Sequence, residues 1–218
     1  MSYILNIETA TKNCSISIAK QGETLLCKEM AEQGYSHAEK LHVFIAEGLQ
    51  ELQIDFSDLS AIAVSQGPGS YTGLRIGVSA AKGLCYALDI PLIAVDTLEV
   101  LAAQLSVSEG LIVPMIDARR MEVYKAVFDK NHQKIRDIKA EIITEESFSN
   151  IEGTIHLIGD GALKCADILK DARFVYYPEN TYPSAKEMSL LSFEKHKKSD
   201  TVDVAYFEPF YLKDFMIK

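Results

Sequence analysis

The chain has 218 residues, 48% of them hydrophobic, so it can bury the core of one large domain or of two small lobes. Its formal net charge of −9 disfavours independent nucleic-acid binding, which usually requires a basic stripe on the surface. The sequence shows no long apolar run, no signal peptide, and neither CxxC nor zinc-site spacing among its four cysteines. We therefore expect a cytoplasmic protein with reduced thiols and no membrane span.

The first half of the chain predicts a mixed α/β unit. Apolar runs and polar–apolar alternation predict strands at residues 3–7, 14–19, 24–30, 61–65 and 92–95. Helical spacing predicts helices at residues 36–52, 72–88 and about 97–105, and Ser36 with Glu39 forms a capping box for the first of them. A meander of three strands, followed by strands that need crossover helices, predicts a mixed sheet.

The second half of the chain opens in the same way. The predicted strands are residues 111–116, 122–128, 135–143 and 155–158. A glycine turn at 159–161 leads into a predicted helix that ends near residue 169, and Ser184 with Glu187 begins another that ends near 196. We place the lobe boundary near Gly110, which gives lobes of residues 1–109 and 110–218. The aromatic tail at 205–213 should pack on a lobe or on a partner.

The loop at residues 66–77 is the most distinctive stretch of the sequence. Its backbone N–H groups precede a helix and could bind a phosphate. Alternatively, Gly73, Gly77 and Ala80 leave one helix face nearly bare, so that another backbone could approach it closely. The spacing misses the G-x-G-x-x-G fingerprint by one residue, and no Lys-Ser or Lys-Thr follows, so packing is the favoured interpretation.

Two other stretches have both a functional and a structural interpretation. Residues 8–11 follow the first predicted strand and could present hydroxyl and N–H groups to a phosphate, although a plain β-turn explains them equally well. Residues 117–122 carry acidic and basic side chains that could clamp a phosphate, although solvated salt-bridge clusters are commoner. His37 and His42 are five residues apart on one predicted helix, so they do not converge on a metal, and we expect no metal site.

Five motifs together resemble the bacterial TsaB (YeaZ) family over the whole chain. The motifs are residues 4–10, 36–39, 66–77, 117–120 and 209–213. The resemblance implies a two-lobed actin-like (ASKHA) fold in which each lobe is a mixed sheet with flanking helices. It also implies a cytoplasmic accessory subunit in the synthesis of tRNA N6-threonylcarbamoyladenosine (t6A), the modified adenosine 3′ of the anticodon in tRNAs that read ANN codons.

The same resemblance implies a set of partners. They are the catalytic subunit TsaD as a heterodimer, the ATPase TsaE, a second copy of the chain when TsaD is absent, and tRNA only through the complex, with no membrane. Catalytic TsaD proteins carry a His-x-x-x-His metal motif, whose ligand positions are Thr97 and Leu101 here. The resemblance therefore implies a non-catalytic paralogue with no catalytic residue and no cofactor of its own, and ADP or ATP is a candidate ligand of the complex interface.

In this family two helices form half of a bundle with the partner, which assigns a set of partner-binding residues. They are Ser36, His37, Leu41, Ile45, Gly69, Tyr71, Thr72, Gly73, Arg75, Ile76, Gly77 and Ala80. We expect Gly73→Leu or Gly77→Leu to weaken the TsaD complex and to leave the monomer folded. A vestigial nucleotide site would use Glu8, Thr9, Thr11, Asp117 and Arg119. The alternatives are an actin-like ATPase or kinase that uses those residues, and a peptidase that acts on TsaD.

Overall fold

The first lobe of the protein is a five-stranded mixed sheet with helices on both faces. The computed structural model of the chain describes residues 3–31 and 37–213. The elements of this lobe, in chain order, are β1 (Tyr3–Glu8), β2 (Cys14–Lys20), β3 (Glu23–Met30), α1 (His37–Leu52), a 3-10 turn (Phe56–Asp58), β4 (Leu59–Gly67), α2 (Tyr71–Leu88), β5 (Leu92–Asp96) and α3 (Thr97–Ala102). The strands lie in the order β3-β2-β1-β4-β5, with β1, β4 and β5 parallel.

The second lobe repeats the strand order of the first. Its elements are β6 (Leu111–Asp117), β7 (Glu122–Asp129), β8 (Lys134–Ile142), β9 (Ile155–Ile158), α4 (Asp160–Leu163), β10 (Phe174–Tyr177) and α5 (Ala185–Lys197). The sheet order is β10-β9-β6-β7-β8, in which β6, β9 and β10 are parallel and the β6–β7–β8 meander is antiparallel. The predicted α/β class, with two mixed sheets and flanking helices, is confirmed.

The helices are exchanged between the lobes. Leu98, Leu101 and Ala102 of α3 pack with Ile112 and Phe128 in the core of the second lobe. In the other direction, α5 lies on the first sheet, where Ala185 and Met188 pack against strands β1, β4 and β5. Each sheet is therefore covered partly by a helix that comes from the other half of the chain, as divided at residues 109–110. The two lobes are thus interlocked.

Two local predictions need correction, and one strand is not predicted by the sequence. The helix predicted to follow the turn at 159–161 and to end near residue 169 is only the four-residue α4, followed by turns, and α3 ends at Ala102 instead of near 105. β10 was not predicted, because it is short and contains two tyrosines that are only partly buried. The helix that begins after Ser184 is confirmed, and the Ser184 hydroxyl accepts a hydrogen bond from the Lys186 N–H at 3.2 Å. The Ser36 cap lies outside the described residues.

Candidate functional site

The turn at the end of β1 is bonded directly to the glycine loop and to α2. The Ser70 N–H donates to the Ala10 carbonyl at 2.6 Å. The Thr9 hydroxyl donates to the Gly73 carbonyl at 2.8 Å, and Thr9 is completely buried. On the other side of this turn, His37 Nε2 donates to the Thr11 carbonyl at 2.7 Å. Residues 9–11 therefore fasten the beginnings of both α1 and α2.

The glycines of α2 make room for this same turn. A Cβ atom at Gly69 or Gly73 would lie less than 3.0 Å from the carbonyl oxygen of Ala10 or Thr9 respectively, and one at Gly77 would lie that close to the Thr9 hydroxyl. Real Cβ atoms essentially never show such contacts. The expectation that the glycine face is open to a partner's helix is therefore wrong, because the chain's own turn covers it.

The predicted partner-binding residues divide into buried and accessible ones. Leu41 and Ile45 are only 0% and 2% exposed and belong to the core of the first lobe, and Gly73 and Gly77 are buried under the turn. These four cannot contact a partner, because their side chains or Cα atoms face the interior. The accessible members are Thr72 and Arg75, which are exposed, and His37, Gly69, Tyr71, Ile76 and Ala80, which are half-buried. Ser36 lies outside the described residues.

The tail runs along one side of α2, so the prediction that the aromatic tail packs on a lobe or a partner is confirmed for the first lobe. The Lys82 ammonium group donates to the carbonyl oxygens of Ala205 and Phe207 at 3.1 and 2.8 Å. Further along, the Tyr211 ring lies 4.9 Å from the Tyr71 ring and its hydroxyl accepts a hydrogen bond from Arg75 Nε. Tyr71 and Arg75 are thus engaged by the tail, a link to this helix that the sequence alone does not predict.

A cleft of about 620 Å³ separates the two lobes. The first lobe contributes Thr11, Lys12 and the beginning of α2, the second lobe contributes residues 116–119, Tyr124 and Asp160, and the tail contributes residues 210–213. Three residues of the predicted vestigial nucleotide site, Thr11, Asp117 and Arg119, are therefore brought together here. Glu8 and Thr9 are not, because both are completely buried behind the turn.

Asp117 on the second-lobe side of this cleft, and its neighbour Glu122, are already paired within the chain. Asp117 forms an ion pair with Lys164, and the Asp117 N–H donates to Asp160 Oδ1 at 2.9 Å. Glu122 is paired with Lys213 of the tail. This pattern is that of a salt-bridge cluster, the structural interpretation that the sequence left open for residues 117–122. A ligand phosphate would meet Arg119 and Lys12 as the remaining cationic side chains of the lining.

Glu8 is a buried carboxyl group that is hydrogen-bonded to the turn at residues 9–11. Its Oε1 accepts a hydrogen bond from the Ala10 N–H at 2.6 Å, while Oε2 has no partner. Burial raises the pKa of Glu8 from 4.5 to about 7, since desolvation penalises the carboxylate more than the Ala10 hydrogen bond stabilises it. A substantial fraction of Glu8 is therefore protonated in the folded protein at neutral pH.

This raised pKa predicts a pH-dependent contribution to stability. Because the folded pKa lies above the unfolded one, the free energy of unfolding falls as pH rises from about 4.5 to 7, by about 3 kcal/mol from this group. Glu8→Gln keeps the shape of the side chain and cannot ionise. The difference between wild type and variant in urea unfolding should therefore change by about 3 kcal/mol between pH 4.5 and 8. Parallel pH profiles for the two proteins would contradict this assignment.

In the second lobe, too, glycines after a strand lie against the backbone of a neighbouring strand. A Cβ atom at Gly159 would clash with the carbonyl oxygen of Met115, and one at Gly161 would clash with the backbone of Met115 and Ile116. Gly159 also has a φ of 104°, which L side chains rarely adopt. In both lobes, therefore, the loop after the fourth strand packs on the end of the first strand. The sequence predicts only a plain turn at 159–161, because a single glycine pair carries no spacing signal.

The two positions that replace the metal motif have structural roles. The Thr97 hydroxyl accepts a hydrogen bond from the Gly67 N–H at 3.0 Å, and Leu101 is completely buried in the hydrophobic core of the second lobe. Within residues 3–31 and 37–213, no group of three His, Cys, Asp or Glu side chains is arranged to hold a metal ion. In that same part of the chain, the helices are too short or too polar to cross a membrane.

Comparison with known proteins gives concordant matches. A family model described as TsaD, tRNA N6-adenosine threonylcarbamoyltransferase, matches residues 29–214. The tRNA threonylcarbamoyladenosine biosynthesis protein TsaB of Escherichia coli is 29% identical over 97% of this chain and 94% of that protein. The tRNA N6-adenosine threonylcarbamoyltransferase of Bacillus thuringiensis strain Al Hakam is 36% identical over 109 residues, which are 43% of this chain but only 32% of that enzyme.

A solved structure extends the similarity to the whole fold. YeaZ from Pseudomonas aeruginosa matches with a TM-score of 0.81 and 25% identity, over 97% of this chain and 100% of that one. The similarity to TsaB of Escherichia coli and to YeaZ thus covers almost the full length of both proteins compared. The transferase, in contrast, is matched over only about a third of its own length. The chain belongs to the TsaD family, and its full-length similarity is to the TsaB (YeaZ) members of that family, as the sequence motifs predicted.

Proposed function

We propose that the chain is a non-catalytic subunit of the t6A machinery that binds and supports the TsaD-type transferase. The observation that carries this proposal is the accessible outer side of α2, where the exposed residues Thr72, Ser79 and Gly83 are small and lie beside the larger exposed residues Arg75 and Tyr86. Small side chains allow a partner helix to approach to the 8–10 Å axial distance of close helix packing. The full-length similarity to proteins named for threonylcarbamoyladenosine biosynthesis supports the same assignment.

In this proposal the complex modifies the adenosine 3′ of the anticodon in tRNAs that read ANN codons. TsaE acts on the assembled complex, and the chain pairs with a second copy of itself when the transferase is absent. The net charge of −9 favours contact with tRNA through the complex and not through this chain alone. This role in tRNA modification would place the protein in the cytoplasm.

The decisive experiment measures t6A formation by the purified transferase on unmodified tRNA, with TsaE, ATP and the threonylcarbamoyl donor, in the presence and absence of this chain. We expect the chain to raise the rate strongly and to form a stable heterodimer with the transferase by light scattering. An unchanged rate together with the absence of a complex would overturn the proposal.

We also propose that the isolated chain neither binds nor hydrolyses ATP, and that ADP or ATP binds only in the assembled complex. The support is the state of the cleft, where Glu8 and Thr9 are buried, Asp117 is paired with Lys164, and the tail residues line one side. Mg-ATP at millimolar concentration should therefore shift the melting temperature of the isolated chain by less than about 1 °C, because a ligand stabilises only when it binds the folded state. Multiple-turnover ATP hydrolysis by the isolated chain would support the ATPase alternative instead.

A further inference from the structure

Three polar atoms in the core of the first lobe have no hydrogen-bond partner within the part of the chain that the structure describes. They are Asn6 Oδ1, Glu8 Oε2 and Ser65 Oγ, and each of the three side chains is completely buried. Buried polar groups are nearly always hydrogen-bonded, either to the chain or to an internal water molecule, because an unpaired one is costly. Each of these atoms therefore calls for a partner.

The three side chains project from the same face of two adjacent strands. Asn6 and Glu8 are two residues apart on β1, so both point to one side of the sheet. On the parallel neighbour β4, Val64 is the register partner of Ile7, which places Ser65 beside Glu8. The Ser65 hydroxyl is near enough to offset part of the rise in the pKa of Glu8 that burial causes, yet the two side chains are not in hydrogen-bonding geometry. A single bridging molecule would connect them.

The bonds made by the rest of each side chain fix which atom is left over. Ser17 on β2 donates its one hydroxyl proton to the Ala185 carbonyl at 2.6 Å, so it accepts the hydrogen bond from Asn6 Nδ2 at 3.0 Å. Asn6 Oδ1 therefore points away from β2, toward β4 on the other side of β1. Glu8 is held through Oε1 by the Ala10 N–H, which leaves Oε2 for another partner.

The side chains that border these atoms are short and closed to solvent. Ala63 of β4 is the register partner of Asn6, and Ala185 of α5 packs in the same cluster as Ala63. Both alanines are completely buried. Short neighbours beside the longer Asn6 and Glu8 favour a site for one small molecule and exclude a larger ligand.

The hydrogen-bonding capacity of the three atoms favours water as the occupant. Asn6 Oδ1 only accepts, Ser65 donates or accepts, and Glu8 Oε2 accepts when ionised and donates when protonated. A water molecule matches all three, since internal waters typically make about three hydrogen bonds. A Mg²⁺ or Ca²⁺ ion requires about six to eight oxygen ligands, more than the three that the described residues offer here.

We propose that one internal water molecule is bound between β1 and β4 and is hydrogen-bonded to Glu8 Oε2, Asn6 Oδ1 and Ser65 Oγ. This water connects the end of β1 to β4, next to the turn at residues 9–11 that fastens the beginnings of α1 and α2. Because water can bond to either form of the carboxyl group, the connection persists when Glu8 ionises. The inference concerns the isolated chain and does not depend on the proposed function.

A high-resolution crystal structure of the isolated chain tests the site directly. We expect one peak of electron density at about 2.5–3.0 Å from each of the three oxygen atoms. Ser65→Val replaces the hydroxyl group with methyl groups on a side chain that suits a strand, so the peak should disappear. Glu8→Gln keeps the size and the hydrogen-bonding capacity of the side chain, so the peak should remain.

Oxygen-17 relaxation dispersion provides a second readout, in solution. It counts the water molecules that stay in the protein longer than the protein takes to tumble. The count should fall by about one in Ser65→Val and stay unchanged in Glu8→Gln, because only the first substitution removes the site. The density in the wild-type crystal decides the question by itself if Ser65→Val fails to fold.

Four results would overturn the proposal. The first is a direct hydrogen bond between Glu8 Oε2 and Ser65 Oγ with no density between the strands. The second is a peak with anomalous scattering in crystals grown with Rb⁺ or Mn²⁺, which would make the site a cation site. The third is a peak that persists in Ser65→Val, and the fourth is an equal count of long-lived waters in wild type and Ser65→Val. Density without anomalous scattering in the wild type, lost in Ser65→Val and retained in Glu8→Gln, supports the bound water.

Discussion

Gly73→Ala should destabilise the isolated chain by about 3 kcal/mol, which is a large fraction of the stability of a typical domain. The new methyl group would lie only 2.1 Å from the Thr9 carbonyl oxygen. That oxygen belongs to the backbone of the turn, which is fixed by the hydrogen bonds of Ala10 with Ser70 and Glu8, so it cannot move aside cheaply. Urea unfolding of the chain alone, without any partner, measures the effect.

The helix supplies its own control for this experiment. Gly83→Ala lies ten residues further along α2, where a Cβ atom meets nothing within 4 Å, and it should stabilise the chain by about 1 kcal/mol through helix propensity alone. The two substitutions are chemically identical, so the difference between them isolates the contact with the turn. Equal effects at the two positions would contradict the close packing of residues 9–10 against α2.

A double-mutant cycle can identify which atom of the turn is responsible at each glycine. At Gly77 the nearest atom is the Thr9 hydroxyl, whereas at Gly73 it is the Thr9 carbonyl. In a Thr9→Ala background, the loss caused by Gly77→Ala should therefore largely disappear, and the loss caused by Gly73→Ala should persist. A clash with a side chain and a clash with the backbone are thus distinguished by the coupling energy between the two sites.

The sequence predicts close packing at the glycines but not the identity of the packing neighbour. Gly69, Gly73 and Gly77 recur every four residues, which indicates a surface without side chains whatever approaches it. The neighbour is a turn about sixty residues earlier in the chain, and helical spacing carries no information about it. The same limitation affects Leu41 and Ile45, because the apolar periodicity that predicts α1 marks its buried stripe and not its outer face.

Other features were predictable only in part, for similar physical reasons. The strand and helix pattern of the first lobe was recovered because its elements are long and strongly periodic, whereas β10 and α4 have four residues each and too little periodic signal. The aromatic tail predicted a packed segment, and the choice of α2 as its support depends on Tyr211 meeting Tyr71 and Arg75. That choice is made by tertiary geometry, which local sequence does not encode.

The accessible outer side of α2 yields the prediction with the largest expected functional effect. Ser79→Arg should raise the dissociation constant for the transferase about 100-fold or more, because a long charged side chain holds two helices apart where close approach is required. Ser79 is exposed, and it faces away from the sheet that buries Leu74 and Val78, so the free energy of unfolding should change by less than about 0.5 kcal/mol.

The controls for Ser79→Arg separate size, charge and location. Ser79→Ala keeps the surface small and should bind the transferase as wild type does, whereas Ser149→Arg adds the same charge to the exposed surface of the second lobe and should also have no effect. The t6A rate should follow the affinity, so that it falls only in Ser79→Arg and recovers at high transferase concentration, as expected for an assembly defect. A Ser79→Arg chain that binds normally would place the interface elsewhere on the molecule. A chain that binds normally but no longer supports modification would assign the outer side of α2 to a later step than assembly.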